Sequence, residues 1–189
     1  MTRMYASILL ASTLSVGVTA TARAQSASVP AADVFVGYSL FPANGDDFPR
    51  TTSHGVQAGV AVPLNRWFGL AAEYAEQWSS SSDLGPNFAG LTAETRVREL
   101  LVGPRFTARG RRADVFGQGW FGRATGDAGD NFSGFSDSGV AFGGGGGVDV
   151  RLTPRVAIRT QFDYVGSFAD MVENNTRFST GVVVGFGGR

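Results

Sequence analysis

The feature that most constrains this chain is a two-residue alternation between Ser138 and Tyr164. One set of alternate positions is mostly apolar: Val140, Phe142, Val148, Val150, Ile158, Thr160, Phe162 and Tyr164. The other set is small, polar or charged: Ala141, Gly143, Gly145, Gly147, Asp149, Arg151, Ala157, Arg159, Gln161 and Asp163. A period of two is typical of β-strands, and Thr153-Pro154-Arg155 provides a turn, so the stretch predicts a β-hairpin.

The charged face of this hairpin also carries a column of glycines, which indicates a crowded interior. A loop at residues 153–155 predicts the cross-strand pairs Asp149 with Arg159, Gly147 with Gln161 and Gly145 with Asp163. Opposite charges then face each other, and long polar side chains face glycines that leave them room. A narrow barrel that is polar inside and apolar outside has this design. A soluble sandwich with a glycine-weakened strand is the alternative.

The N-terminus has the three parts of a secretory signal peptide. Arg3 precedes an apolar run over residues 5–18, and Ala22-Arg23-Ala24 follows as an A-x-A cleavage site. We therefore expect cleavage after Ala24. The predicted division is a signal peptide at 1–24, a short lead at 25–32 and a single barrel domain at 33–189.

Composition excludes several classes of protein. The chain has no cysteine, which excludes a disulfide framework, a lipoprotein anchor and a cysteine-ligated metal site. Removal of Arg3 and Arg23 from the 16 basic residues leaves 14 against 16 acidic ones, so no basic excess is available for nucleic acid. The 27 glycines follow no fixed repeat, which favours a strongly curved sheet. After the signal, no segment reaches the roughly 18 consecutive apolar residues of a membrane helix.

Period-two patterns along the remaining chain predict about eight strands. The connections alternate between long and short, which is typical of outer-membrane barrels. The predicted long loops are 41–53, 79–87, 124–137 and 166–175, and the short turns are 63–66, 108–112 and 153–155.

Three points along the strands have a less direct interpretation. Residues 67–78 also fit helical spacing, but their polar residues share the inward parity of the neighbouring strands, which favours a strand. Pro104 within the fourth strand predicts a bulge or an unpaired position. The facing of the fifth strand, residues 114–123, is ambiguous because aromatic residues occur on both parities.

The last strand carries a recognisable motif. Residues 179–186, STGVVVGF, resemble the β-signal by which outer-membrane barrels are recognised for assembly, with Gly181, Val184 and Phe186 at its glycine, hydrophobic and aromatic positions. Residues 187–189 extend beyond the usual end of that signal. Segments 99–106, 116–118 and 145–150 are similar to segments of the outer-membrane protein β-barrel domain family, the small OmpA/OmpX-type barrels.

This resemblance implies an all-β fold, an eight-stranded antiparallel up-and-down transmembrane β-barrel. It also implies a location in the bacterial outer membrane after export through the periplasm. The implied partners are outer-membrane lipid and lipopolysaccharide, with the barrel-assembly machinery and periplasmic chaperones during biogenesis. We expect a monomer whose termini lie in the periplasm; the sequence indicates no extracellular ligand.

The candidate site is a polar network inside the barrel. The two interpretations are a structural ion-pair network that fills a closed barrel and a narrow polar pore. Side chains just fill the interior at about eight strands, which favours the network. The predicted members are Glu73, Glu99, Arg105, Asp149, Arg151, Arg159, Gln161 and Asp163.

Other chemistry is weakly indicated. Gly143–Gly147 lacks the Lys-Ser/Thr and the helix of a phosphate loop. His54 lies beside Ser53 without the pattern of the histidine-serine hydrolases found among outer-membrane barrels. The acidic loops lack the ligand spacing of a calcium site. We expect no cofactor, no metal and no catalysis. The loop acids are Asp46, Asp47, Asp83, Asp127, Asp130, Asp137, Asp170 and Glu173.

The sequence therefore predicts a structural or surface-interacting barrel concerned with membrane integrity or adhesion. A small passive channel, a lipid-modifying hydrolase and a soluble barrel for an apolar ligand are the alternatives.

Overall fold

The computed structural model describes residues 30–42, 52–81, 93–129, 134–167 and 175–187. The predicted signal peptide lies outside these residues. Within them, no helix is long and apolar enough to cross a membrane.

Eight strands form one closed antiparallel barrel. Each strand pairs with its neighbours in the chain, and the last pairs with the first, which closes the barrel. The predicted all-β, eight-stranded antiparallel up-and-down barrel is confirmed, and the third segment is a strand rather than a helix. The strands are β1 Ala32–Pro42, β2 Thr52–Pro63, β3 Phe68–Ser81, β4 Ala93–Arg109, β5 Ala113–Gly129, β6 Gly134–Arg151, β7 Val156–Ser167 and β8 Asn175–Phe186.

The β6–β7 hairpin has the predicted register. Its cross-strand partners are Asp149 with Arg159, Gly147 with Gln161 and Gly145 with Asp163. The glycine column is needed because the two backbones lie close together. A Cβ atom added at Gly147 would lie 2.3 Å from the Thr160 carbonyl oxygen.

The outward face of the barrel is apolar and the inward face is polar. Val36, Leu100 and Phe121 are among the outward side chains and are 61%, 60% and 63% exposed. Water-soluble monomers rarely expose so continuous an apolar surface. The inverted arrangement is typical of a barrel that faces lipid, and it argues against the soluble ligand-binding barrel.

Three strands are much longer than a membrane crossing requires. β4, β5 and β6 have 17, 17 and 18 residues, whereas a tilted crossing needs about 9–11. The predicted bounds of the loop, 124–137, are therefore wrong, because residues 124–129 and 134–137 belong to β5 and β6. Pairs such as Thr125 with Ser138 and Asp127 with Ser136 continue the ladder towards Gly129 and Gly134. Beyond the apolar band that faces lipid, outward side chains need not be apolar. The two backbones still pair there, but the sequence lacks the apolar alternation that identifies a strand.

Pro104 interrupts the β4–β5 ladder without a bulge. Val102 pairs with Phe121 and Arg105 with Gln118, while Gly103 and Pro104 have no partner on β5. The register is the same on both sides of the gap, so the unpaired position is confirmed and the bulge is wrong. Proline has no N–H to donate to the ladder, which explains the gap.

Two short turns use a side-chain oxygen in the same way. The Asn65 side-chain oxygen accepts hydrogen bonds from the backbone N–H groups of Trp67 and Phe68, at 3.0 and 2.8 Å. The Thr153 hydroxyl accepts from Arg155 and Val156, at 3.2 and 3.0 Å. These local bonds stabilise the turns at one end of the barrel, which we call the turn end.

Candidate functional site

A single buried guanidinium holds together one end of the polar interior. Arg177 on β8 donates from Nη1 to Glu99 Oε2 at 2.9 Å and from Nη2 to Asp163 Oδ2 at 3.0 Å. Nη2 also contacts the Glu73 carboxylate. All four side chains are almost completely inaccessible to solvent. We call these four residues with Gln161 the Arg177 cluster.

Neutral donors add hydrogen bonds to this cluster. Gln161 Nε2 donates to Asp163 Oδ2 at 2.6 Å and to Glu73 Oε2 at 3.1 Å. The other Asp163 oxygen accepts from Trp120 Nε1 at 3.2 Å and Gln118 Nε2 at 3.4 Å. The cluster thus joins β3, β4, β5, β7 and β8 across the bore, and polar side chains fill that level of the barrel.

A second cluster lies between the Arg177 cluster and the turn end. Arg159 donates through Nε and Nη2 to the two Asp149 oxygens at 2.7 and 2.8 Å, a bidentate geometry. Arg105 Nη2 donates to Asp149 Oδ2 at 3.1 Å. Both guanidiniums also lie over the Phe116 ring, with Cζ atoms 3.7 and 4.6 Å from its centroid. The Phe116 ring stabilises both guanidinium cations, which share the single Asp149 carboxylate.

The turn end opens into a cavity of about 220 Å³. At its rim, Arg151 Nη2 donates to both oxygens of Asp114 at 2.6 Å, and Arg151 Nη1 donates to the Gly110 carbonyl at 2.6 Å. These bonds join the β4–β5 and β6–β7 turns. Charged residues that line the cavity include Asp33, Arg105, Arg109, Asp114, Asp149 and Arg155.

The predicted interior residues occupy two clusters and the rim. The structure brings Glu73, Glu99, Gln161 and Asp163 together in the Arg177 cluster, and Arg105, Asp149 and Arg159 together in the second. Arg151 lies apart from both, half-buried at the turn end.

Sequence reasoning missed the central residue of the site. Arg177 shares the inward parity of Ser179 and Gly181 on β8, whose facing was left unassigned. Charge balance was the available signal, because Glu73, Glu99 and Asp163 formed an inward acidic set that required a cation. Further inward side chains lie on β5, the strand with ambiguous facing: Asp114, Phe116, Gln118 and Trp120.

The residues of the predicted assembly signal lie at the seam between β8 and β1. Gly181 faces inward, where an added Cβ would lie 2.2 Å from the Val36 carbonyl oxygen. Phe186 is on the outward face and exposed, and Val184 shares that face. Close packing of the two backbones explains the glycine by itself, independently of any role in assembly.

His54 lies on the outward face of β2, away from the polar interior. Its ring stacks on Tyr38, with centroids 6.5 Å apart, and meets Trp78 edge-on at 6.2 Å. Aromatic neighbours do not activate a histidine as a general base, so this environment gives no support to a hydrolase. The glycine run at 143–147 lies within β6, where no helix follows to form a phosphate site.

Among the described residues, no group of three or more His, Cys, Asp or Glu side chains is placed to hold a metal ion. Most of the acidic loop residues lie outside that part of the chain, including Asp46, Asp47, Asp83 and Asp130. Asp127 is described, on the part of β5 beyond the apolar face. A hydrogen bond from Ser136 and the Arg98 guanidinium hold its pKa below the usual range.

Comparison with known proteins identifies the family. Residues 7–187 match the profile of the family described as outer membrane protein beta-barrel domain. The chain belongs to this family. A search of curated proteins found no match.

Solved structures of outer-membrane barrels share the fold. Ail, the attachment invasion locus protein of Yersinia pestis, is 15% identical with a TM-score of 0.59, over 82% of this chain and 97% of its own. Neisserial surface protein A is 12% identical with a TM-score of 0.66, over 82% and 97%. OprG from Pseudomonas aeruginosa is 11% identical with a TM-score of 0.54, over 85% and 99%.

At these identities the three structures show the fold alone, and the family profile carries the assignment. The protein is an outer-membrane β-barrel of Gram-negative type, and its apolar outward face is the surface that contacts lipid. The predicted family, fold and localisation are confirmed.

Proposed function

We propose that this outer-membrane barrel is a non-conducting protein that acts as a structural and surface-interacting element of the membrane. The buried Arg177 cluster is the observation that carries the proposal. Arg177 has no solvent-accessible side-chain surface. Glu73 and Glu99 reach it across the bore from β3 and β4, and Asp163 is its direct partner on the neighbouring strand β7. A bore filled in this way stabilises the barrel and leaves no evident route for solutes.

The long strands supply the interacting surface. β4, β5 and β6 extend beyond the apolar face at the end opposite the turn end. In barrels of this family type the short turns face the periplasm, so the extended end faces outside the cell. Ail is named as an attachment protein and shares this fold at 15% identity. By analogy of fold, attachment is the interaction we propose first.

Conductance in planar bilayers tests the closed barrel. Wild-type protein should give no steady stepwise current. The double variant R177A/E73A, which removes two large side chains from the Arg177 cluster, should give measurable current if it retains the folded band on an unboiled gel. Steady current from the wild type would refute the proposal and favour a passive channel, for which the charged cavity at the turn end is the supporting observation.

A shortened hairpin tests the surface role. Replacement of residues 126–137 by Asn-Gly keeps the Thr125–Ser138 pair and hence the register of β5 and β6. Ail has been crystallised in complex with the heparin analogue sucrose octasulfate, so we test heparin first. Bacteria that express the shortened protein should attach less to heparin-coated surfaces than bacteria that express the wild type. Equal attachment at equal amounts of folded protein would contradict a role for this hairpin.

We further propose that the two polar clusters have a structural role, and that Gly181, Val184 and Phe186 form the assembly signal. Slow membrane insertion of F186A in cells, with normal refolding of the purified variant, would support the signal. If F186A slowed insertion in cells and refolding of the purified protein equally, Phe186 would contribute to packing only.

A further inference from the structure

The short turns of the barrel carry arginines and no acidic residue. The β2–β3 turn contains Arg66, the β4–β5 turn contains Arg111 and Arg112, and the β6–β7 turn contains Arg155. All four side chains are exposed. Among the described residues, none of the four takes part in an ion pair shown by the structure. We call these four residues the arginine collar.

Two acids described at the turn end, Asp114 and Asp33, form no ion pair with the collar. Both Asp114 oxygens accept from Arg151, and Asp114 Oδ1 also accepts from the Gly110 backbone N–H at 3.0 Å. Asp33 lies half-buried inside the mouth and forms no ion pair with a collar arginine. Within the part of the chain that the structure describes, no carboxylate therefore pairs with a collar arginine.

The collar borders the lipid-facing surface directly. Leu64, Trp67 and Leu152 lie in the same turns and are at least 60% exposed. An arginine at this level extends its aliphatic stem along apolar surface and its guanidinium into the headgroup layer. Any anionic group that meets the collar therefore lies at the depth of lipid headgroups.

At the opposite border of the apolar surface, two arginines have carboxylate partners. Arg96 pairs with Glu76 at 3.2 Å, and Arg98 pairs with Asp127. Among the described residues, these two arginines of the opposite border each have a carboxylate partner, whereas no arginine of the collar has one.

We propose that the arginine collar binds the anionic headgroups of glycerophospholipids in the membrane leaflet at the turn end. Phosphate and glycerol-phosphate groups accept hydrogen bonds from guanidinium, and each basic side chain near an anionic membrane surface adds to the attraction. Acyl chains of the bound lipid lie against the exposed apolar side chains beside the collar. This lipid preference is independent of conductance and of attachment.

Quenching by brominated lipids tests the proposal. In a Trp78→Phe background, Trp67 is the tryptophan that faces lipid, because Trp120 is buried in the interior. The protein is reconstituted in phosphatidylcholine vesicles that contain brominated phosphatidylcholine or brominated phosphatidylglycerol. We expect association with phosphatidylglycerol to be about fivefold stronger at low salt, and the preference to fall in about 1 M salt.

Two triple variants of equal charge change locate the effect. R111Q/R112Q/R155Q should lose the preference for phosphatidylglycerol, while R96Q/R98Q/R123Q should keep it. Both sets lie at exposed positions, so folding is checked simply by the unboiled gel band. No preference in the wild type would overturn the proposal, as would equal loss in both variants, which would indicate net charge alone.

Sedimentation with purified peptidoglycan sacculi separates lipid from an acidic polymer. Under the proposal, the collar variant and the wild type sediment equally. Collar-dependent sedimentation without any lipid preference would overturn the proposal in favour of a periplasmic polymer.

Discussion

Replacement of Arg177 by methionine should destabilise the barrel more than any other single loss of charge. Methionine keeps an unbranched side chain of similar length but removes the cation. Three carboxylates, on Glu73, Glu99 and Asp163, would then lie buried with no guanidinium. Removal of one partner from a buried ion pair costs about 3–5 kcal/mol, and here three acceptors lose one donor, so we expect at least about 4 kcal/mol.

Urea unfolding in phosphatidylcholine vesicles measures this loss. Folded and unfolded protein separate as two bands on an unboiled gel. In a W67F/W78F background, Trp120 fluorescence reports on the cluster itself because its Nε1 bonds to Asp163. R98M is the matched control. It removes an arginine that also pairs with one carboxylate, Asp127, but at an exposed position, so its effect should be close to the limit of the measurement.

Compensating variants test whether charge is the cause. R177M/E73Q/E99Q removes two of the three stranded carboxylates and should recover most of the lost stability. R177K should be intermediate, because an ammonium is a point charge that cannot fork between carboxylates as guanidinium does. Equal stability of R177M and R98M would refute the reasoning, and so would a triple variant no more stable than R177M.

Three further predictions concern the second cluster, the glycine column and the barrel state. D149A leaves Arg105 and Arg159 without their shared carboxylate and should cost about 3–5 kcal/mol in the same urea assay; unchanged stability would contradict the ion pairing. G147A should cost about 1–3 kcal/mol by overpacking, whereas G117A, whose added Cβ meets its nearest atom at 3.9 Å, should be almost neutral; similar values for both would show that the backbones are not in close contact. Protein extracted from membranes should migrate as a compact band that shifts only after boiling, and a single unshifted species would argue against a closed barrel.

The facing of side chains and the register of strands were predictable from the sequence wherever lipid-facing and interior positions carry different residue types. The β6–β7 pairs follow from the alternation because a slip of one residue would turn Asp149 and Asp163 towards lipid. The same contrast predicted the facing of β3, whose polar residues Glu73 and Gln77 face inward. It failed on β5, where Phe116 and Trp120 face inward and Phe121 faces outward. Aromatic side chains are found both in the interior and against lipid on this strand. The alternation therefore does not predict which face of β5 points inward.

The length of the strands was predictable only within the lipid. Residues 124–129 and 134–137 continue β5 and β6, but small and polar residues occupy alternate positions of both parities there. Polar residues on both faces are equally typical of a loop. Backbone pairing between β5 and β6 makes these residues a strand, and no pattern in the sequence indicates that pairing.

The sequence by itself determined that this protein is an inverted barrel, because a lipid exterior and a packed polar interior impose opposite chemistry on alternate residues. The tertiary structure decided which charges meet. Arg177 is 104 and 78 residues away from Glu73 and Glu99 along the chain, and only closure of the barrel brings the three together. Alternation assigns a residue to a face, but the tilt and closure of the strands set its height and its partner across the bore.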